Sequence, residues 1–211
     1  TELADLVGTR FVNPNVCLLQ QLERLPVSFA RIKALVDNTI SDSDFDAALL
    51  EALGVGALSD ALDPAAFGGD VKKWLHDHAD RIMGLIVLVD PSEDPDPCNF
   101  DRVELRYAEP DMRANQLRRF EFVRLVRFVR LWRKLGWSID ATDRALAALY
   151  PAGQVPADDD TDTTARAKLD AGFAAVLVRL SHLLAARDAL GLSGSKELQE
   201  VLACWAPIDA H

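Results

Sequence analysis

From Asn115 to Leu135 the chain carries its strongest helical pattern, and that pattern limits the folds open to it. Leu117, Leu125, Phe128, Val129, Trp132 and Leu135 form a broad apolar arc at helical spacing. Arg119, Arg124, Arg127, Arg130 and Lys134 fall mainly on the opposite side, where Phe120, Val123 and Leu131 intrude. A helix apolar on more than one side must be contacted from more than one side, which requires several helices around it. The same 3.6-residue recurrence of leucine and alanine runs along much of the chain, so the predicted class is mainly α.

The neighbouring segments fit that class. Phe29, Ile32, Leu35 and Val36 share a face after Pro26, which suits a helix start. Ser41 or Asp42 can cap a second helix bearing Phe45, Ala48, Leu49, Ala52 and Leu53, which Gly54 ends. Gly68–Gly69 opens a helix predicted from Asp70 to about Arg81, with Val71, Trp74, Leu75 and His78 on one side. Leu85–Val89 and Val103–Tyr107 read as strands around a proline-rich acidic loop, and can pair as a small antiparallel ribbon lying on helices. Gly136 ends the basic helix at an expected positive φ, and Ser138 caps a successor running to about Leu149. Pro151 to Asp162 reads as a mobile acidic insertion, followed by a helix from about Thr164 to Leu190. Its stripe is Leu169, Phe173, Val176, Leu180, Leu183 and Leu184, and Ser193 or Ser195 can cap a last helix. A soft boundary near 67–70 divides an N-terminal helical hairpin region, 1–68, from the remainder, 69–211, with its ribbon at about 84–107 and long helices at about 115–135 and 164–190.

Composition bounds the chemistry. The 211 residues are 49% apolar and 27% charged, the make-up of a folded soluble protein, and three cysteines are too few for a disulfide scaffold. No leader is visible, and the opening Thr1–Glu2 reads as a piece of something longer. The most apolar stretch, Ala171–Ala186, falls short of about 20 residues and carries Arg179 and His182, so no membrane insertion is expected. Eight basic residues and one acid between Arg113 and Lys134, with Phe120, Phe122, Phe128 and Trp132 interleaved, raise a nucleic-acid reading. Against it, the aromatics recur at core spacing, and removing this segment's +7 from the net −10 leaves −17 elsewhere, a field that repels a polyanion.

Catalytic constellations are missing. His76 and His78 point about 200° apart on a helix and cannot easily share an ion. Cys17, Cys98 and Cys204 have no basic partner by spacing, and Gly191–Ser195 lacks the second glycine of a nucleophile elbow. The acids Asp94, Asp96 and Asp101, and Asp158 to Asp162, read as solvated loop charge without the rigid facing pair that glycoside hydrolysis needs. No cofactor or metal is expected.

One stretch carries more information. Phe128 to Leu146, with Leu135–Gly136–Trp137–Ser138 between an arginine-rich helix and Ala141–Thr142–Asp143, closely resembles a signature of the large A subunits of bacterial Tc toxin complexes. The family usually has glutamate–leucine–aspartate at 141–143; only Asp143 is kept here. Ala189–Ser193, then Leu198 to Trp205 and Ile208–Asp209–Ala210–His211, resembles the family's leucine-rich run into leucine–tryptophan–x–x–isoleucine–aspartate–threonine–histidine, with Ala210 for the threonine. Val103–Tyr107 also fits, and Phe11–Val16 with Leu25–Phe29 is a looser likeness. The resemblance implies an irregular multi-helix shell-type domain around a central channel built by other segments. It implies a secreted, homopentameric host-binding parent that injects a toxic enzyme, with the rest of that parent chain and a host-surface receptor as partners. Arg119, Arg124, Arg127, Arg130 and Lys134 are the expected interaction residues; Trp132, Gly136, Trp137, Ser138 and Trp205 are the expected structural ones, with Trp132 substantially buried. Neighbouring parts of such proteins carry a neuraminidase-like label. A sialidase-like or other glycoside-hydrolysing fragment is therefore one alternative, although the arginine cluster, acid and tyrosine of a sialidase are absent. A nucleic-acid module using 113–134 is the other.

Overall fold

The computed structural model describes residues 2–92, 102–157, 159–192 and 201–202. It is mainly helical with one small two-stranded antiparallel sheet. Trp205, Cys98, Cys204, Ser193, Ser195, Asp94, Asp96, Asp101 and Asp158 lie outside the described residues. The chain forms two compact units, one of Asn13–Leu117 and one joining Thr1–Val12 to Arg118–His211. The division expected near residues 67–70 therefore falls inside the first of these. Gly68 and Gly69 do take positive φ, 63° and 92°, but the apolar core continues across them from Leu62 and Phe67 to Trp74 and Leu75.

In the Asn13–Leu117 unit, α2 (Leu19–Leu22), α3 (Phe29–Val36), α4 (Asp42–Leu53), α5 (Val71–Asp77) and α6 (Ala79–Met83) surround one core. Phe45, Phe67, Leu49, Ile32, Leu35, Leu75, Ile82 and Leu85 are its fully buried members. Ser28, Ser41 and Asp70 cap α3, α4 and α5 by accepting the backbone N–H three residues on, and Gly54 closes α4 at φ 67°. The single helix expected over 70–81 is broken. At His78 the backbone leaves helical geometry (φ −113°, ψ 9°), the ring stacks on Trp74, and Nδ1 lies 2.8 Å from the Trp74 carbonyl oxygen.

Strands β1 (Ile86–Val89) and β2 (Glu104–Tyr107) pair antiparallel, with Ile86 opposite Tyr107 and Val89 opposite Glu104. Asn13, fully buried, completes the ribbon: its side chain donates to the Ile86 carbonyl at 3.0 Å and accepts the Ile86 N–H at 3.1 Å. A buried asparagine that satisfies both backbone groups of one residue replaces a third strand at that point. On β2, Gln116 bridges Arg106, and Tyr107 N–H donates to the Asn115 carbonyl at 2.8 Å.

The other unit contains α1 (Glu2–Val7), α7 (Arg119–Leu135), α8 (Ile139–Leu149) and α9 (Asp162–Ala189). Its core is Leu6, Val12, Phe128, Ala145, Leu146, Leu149, Val176, Leu180, Leu183 and Leu202. Helix α7 begins four residues later than expected. Asn115 and Gln116 are committed to the β2 edge, and Arg118 N–H donates to the Glu121 carboxylate, a cap that starts the helix there. The insertion read as mobile is tied down. Pro151 leads into a short 3-10 turn, Ala152–Gln154, and Asp160 accepts from Lys168 and from the Ala157 N–H. These bonds hold the Asp160 carboxyl below the usual carboxylate range, Lys168 contributing most. Thr161 caps α9, which is 28 residues long, well beyond the apolar stretch seen in sequence. By length and composition α9 could span a bilayer, a test core helices also pass, and here its stripe from Ala165 to Leu183 is buried against this unit's core.

Candidate functional site

The residues singled out by sequence converge on α7 and its turn into α8, but they do not form one basic face. A wheel centred on fully buried Phe128 puts Arg124 inside, at 6% exposure, and Glu121 beside it at 8%. Their charges lie 3.5 Å apart, and Arg124 also donates to the Val12 carbonyl at 2.8 Å. Two buried charges are tolerable here because each meets the other and because the guanidinium also satisfies a backbone oxygen. Arg127 is half-buried, paired with Asp170 and set 5.4 Å over the Phe173 ring. Arg119, Arg130 and Lys134 are exposed. The expected one-sided set is therefore divided into an interior arginine, a bridging arginine and three surface cations.

The intruding apolar residues are all at least partly covered: Phe120 is buried beneath the Arg118 and Arg124 guanidinium groups, and Val123 and Leu131 are half-buried. Phe122 and Val126, outside that set, stand in solvent at 47% and 46% exposure. Arg118, not singled out in sequence, holds Asp162 at 3.1 Å and the Asp160 carbonyl. The signal for this arrangement was the i, i+4 pair Arg124–Phe128, which tilts the inner face toward Arg124.

At the end of α7, Gly136 takes φ 67° and ψ 17°, and Ser138 caps α8 by accepting the Ala141 N–H at 3.1 Å. Trp132 is half-buried rather than enclosed, and its indole N–H donates to the Trp137 carbonyl at 2.8 Å, bracing the turn. Asp143, one turn into α8, accepts the N–H groups of Arg10 at 2.9 Å and Phe11 at 2.8 Å. Burial pushes its carboxyl above the usual range, against the lowering effect of those two bonds. The clamp seats Phe11 in an aromatic cluster: its ring lies 6.1 Å from Phe128, 5.3 Å from Tyr150 and 5.5 Å from Phe173. No sequence signal linked Asp143 to residues 10 and 11, which are separated from it by more than half the chain.

These residues border an open cleft of about 630 Å³, lined by α1, Trp132, Trp137 and the first turn of α8. Three of its polar side chains are already engaged. Ser138 is a cap, Asp143 holds two amides, and Asp140 pairs with Arg144 at 3.1 Å. Such an arrangement positions helices; it offers no nucleophile with an adjacent base. Among the described residues, no three His, Cys, Asp or Glu side chains gather where they could hold a metal ion. His76 lies in the last turn of α5 and His78 forms the α5–α6 break itself. No protein-family model, curated protein or solved structure matches the chain.

Proposed function

We propose that the chain is a noncatalytic structural and interaction module of the A component of a Tc-like bacterial toxin, a pentameric host-binding and translocating assembly acting outside the producing cell. The observation that carries this reading is the use made of the signature residues. Gly136 and Ser138 turn the chain, the Trp132 indole braces that turn, and Asp143 anchors the segment around Phe11. In this chain these positions set the angle between α7 and α8 and pin the distant segment around Phe11 to them, which is what a shell that must keep its shape requires. The mainly helical fold with its small ribbon is compatible with that role.

Electron microscopy of the full-length parent protein is the test. A five-fold assembly with this segment in a helical outer layer is the expected result; a parent with no rotational symmetry would overturn the reading. Turnover of sialosides or other glycosides by the purified chain, abolished by a single carboxylate substitution, would replace it with the hydrolase alternative.

A further inference from the structure

The outward side of α7 is the surface this unit leaves least explained. Arg119, Phe122, Val126, Arg130 and Arg133 follow at intervals of three and four residues, so they form one stripe about 21 Å long, with Lys134 beside its end. All six are exposed. The helix has one acid, Glu121, and it is buried on the other side against Arg124. Among the described residues no carboxylate pairs with Arg119, Arg130, Arg133 or Lys134. By contrast Arg118, Arg127, Arg144, Lys168 and Arg187 of the same unit each hold an aspartate. In a chain of net charge −10, four cations around two exposed apolar side chains, with no acid among them, are a local reversal of sign.

We infer that this stripe docks an acidic amphipathic helix supplied by another polypeptide segment, with apolar anchors seated on Phe122 and Val126 and carboxylates flanking them toward the four cations. The apolar pair is spaced i, i+4, one turn of a helix, the spacing that a partner helix meets along a seam. The carboxylates supply charge complementarity, which governs encounter and register, while Phe122 and Val126 supply the apolar burial that surface ion pairs lack. Two apolar side chains are too few to embed a helix in a bilayer, and a polyanion would meet the net −17 carried outside 113–134. The inference holds for any parent and does not depend on the Tc-like reading.

The probe is a fluorescein-labelled helical peptide of about 18 residues with leucines at i, i+4 intervals flanked by glutamates, followed by fluorescence anisotropy with the whole chain. Binding that weakens as salt rises is expected. Arg119→Glu/Arg130→Glu should weaken it by about tenfold or more, and Phe122→Ser by about threefold or more, with circular dichroism unchanged because all three side chains are exposed. Arg166→Glu, an exposed arginine of α9 outside the stripe, should change affinity by less than about twofold. The inference is overturned if the peptide fails to bind at low salt, if its leucine-to-serine version binds equally well, or if Arg166→Glu weakens binding as much as the stripe variant. Phosphatidylserine vesicles or single-stranded DNA binding more tightly than the peptide would also overturn it. So would a concentration-dependent dimer, seen by sedimentation, that the Arg119→Glu/Arg130→Glu variant abolishes.

Discussion

At Gly172, on the buried stripe of α9, an added β-carbon would fall inside the van der Waals radius of the Tyr150 ring, with Cε1 2.8 Å away and Cζ and Oη closer still. The ring has little freedom to retreat, because Phe11 and Phe173 lie against it at 5.3 and 6.3 Å. Gly172→Ala is therefore expected to destabilise by about 1–3 kcal/mol despite alanine's better helix propensity. Denaturant unfolding measures this, and a double-mutant cycle with Tyr150→Ala should recover most of the loss, since removing the ring removes the clash. Asp143 makes a prediction in pH. Its carboxyl is raised by burial, so its protonation favours the folded state; that contribution is full below the unfolded value near 3.9 and is lost as pH rises through the higher folded value. Stability relative to Asp143→Asn should accordingly fall across that window on raising the pH, then level off. Above it the asparagine still costs about 1–3 kcal/mol, because its NH2 faces an amide donor where an acceptor is needed. Unfolding curves of both proteins between pH 3 and 7 would show a difference near zero throughout if the clamp carried no weight, and a constant non-zero one if the carboxyl were not raised.

Among the elements, α7 shows best what periodicity can and cannot reveal. Its existence, its end at Gly136 and the Ser138 cap were legible, because apolar spacing, a left-handed glycine and an N-cap serine are local signals. The start at Arg119 was not, since it depends on Asn115 and Gln116 being held by β2, a contact made after folding. The apolar arc from Leu125 to Leu135 packs on the core as expected, but Arg124 was put on the wrong side for a related reason. An arginine reads as outward until a partner such as Glu121 and a free carbonyl such as that of Val12 make its burial tolerable. Arg124→Met is expected to cost about 3–5 kcal/mol in denaturant unfolding, because Glu121 is left charged and buried. Arg130→Met, in solvent on the same helix, should change stability by less than about 0.5 kcal/mol. Equal effects of the two would mean that Arg124 faces water. Trp132→Ala should fall near 2–3 kcal/mol, below the usual range of about 3–5 for a fully buried tryptophan, since the side chain is half-exposed and most of its value lies in the hydrogen bond to the turn.

On the scale of the whole chain, the two units place different demands on the sequence. Asn13–Leu117 is continuous and owns a complete core, from Leu18 to Ala108, together with the buried asparagine that finishes its ribbon. The other unit is discontinuous, and its first twelve residues supply parts that nothing among the described residues of 118–211 replaces. They provide the Val12 carbonyl for Arg124, two amides for Asp143, and the Phe11 ring that meets Phe128, Tyr150 and Phe173. A fragment of residues 13–117 is thus expected to unfold cooperatively by circular dichroism. A fragment of 118–211 should be poorly packed, because its buried arginine and aspartate lose their backbone partners and an aromatic socket is left open. Adding a peptide of residues 1–12 in trans should restore near-ultraviolet dichroism to the 118–211 fragment, and a Phe11→Ala peptide should restore much less. If 118–211 is equally well packed without the peptide, the N-terminal segment decorates this unit instead of completing it, and the structural role assigned to Asp143 fails with it.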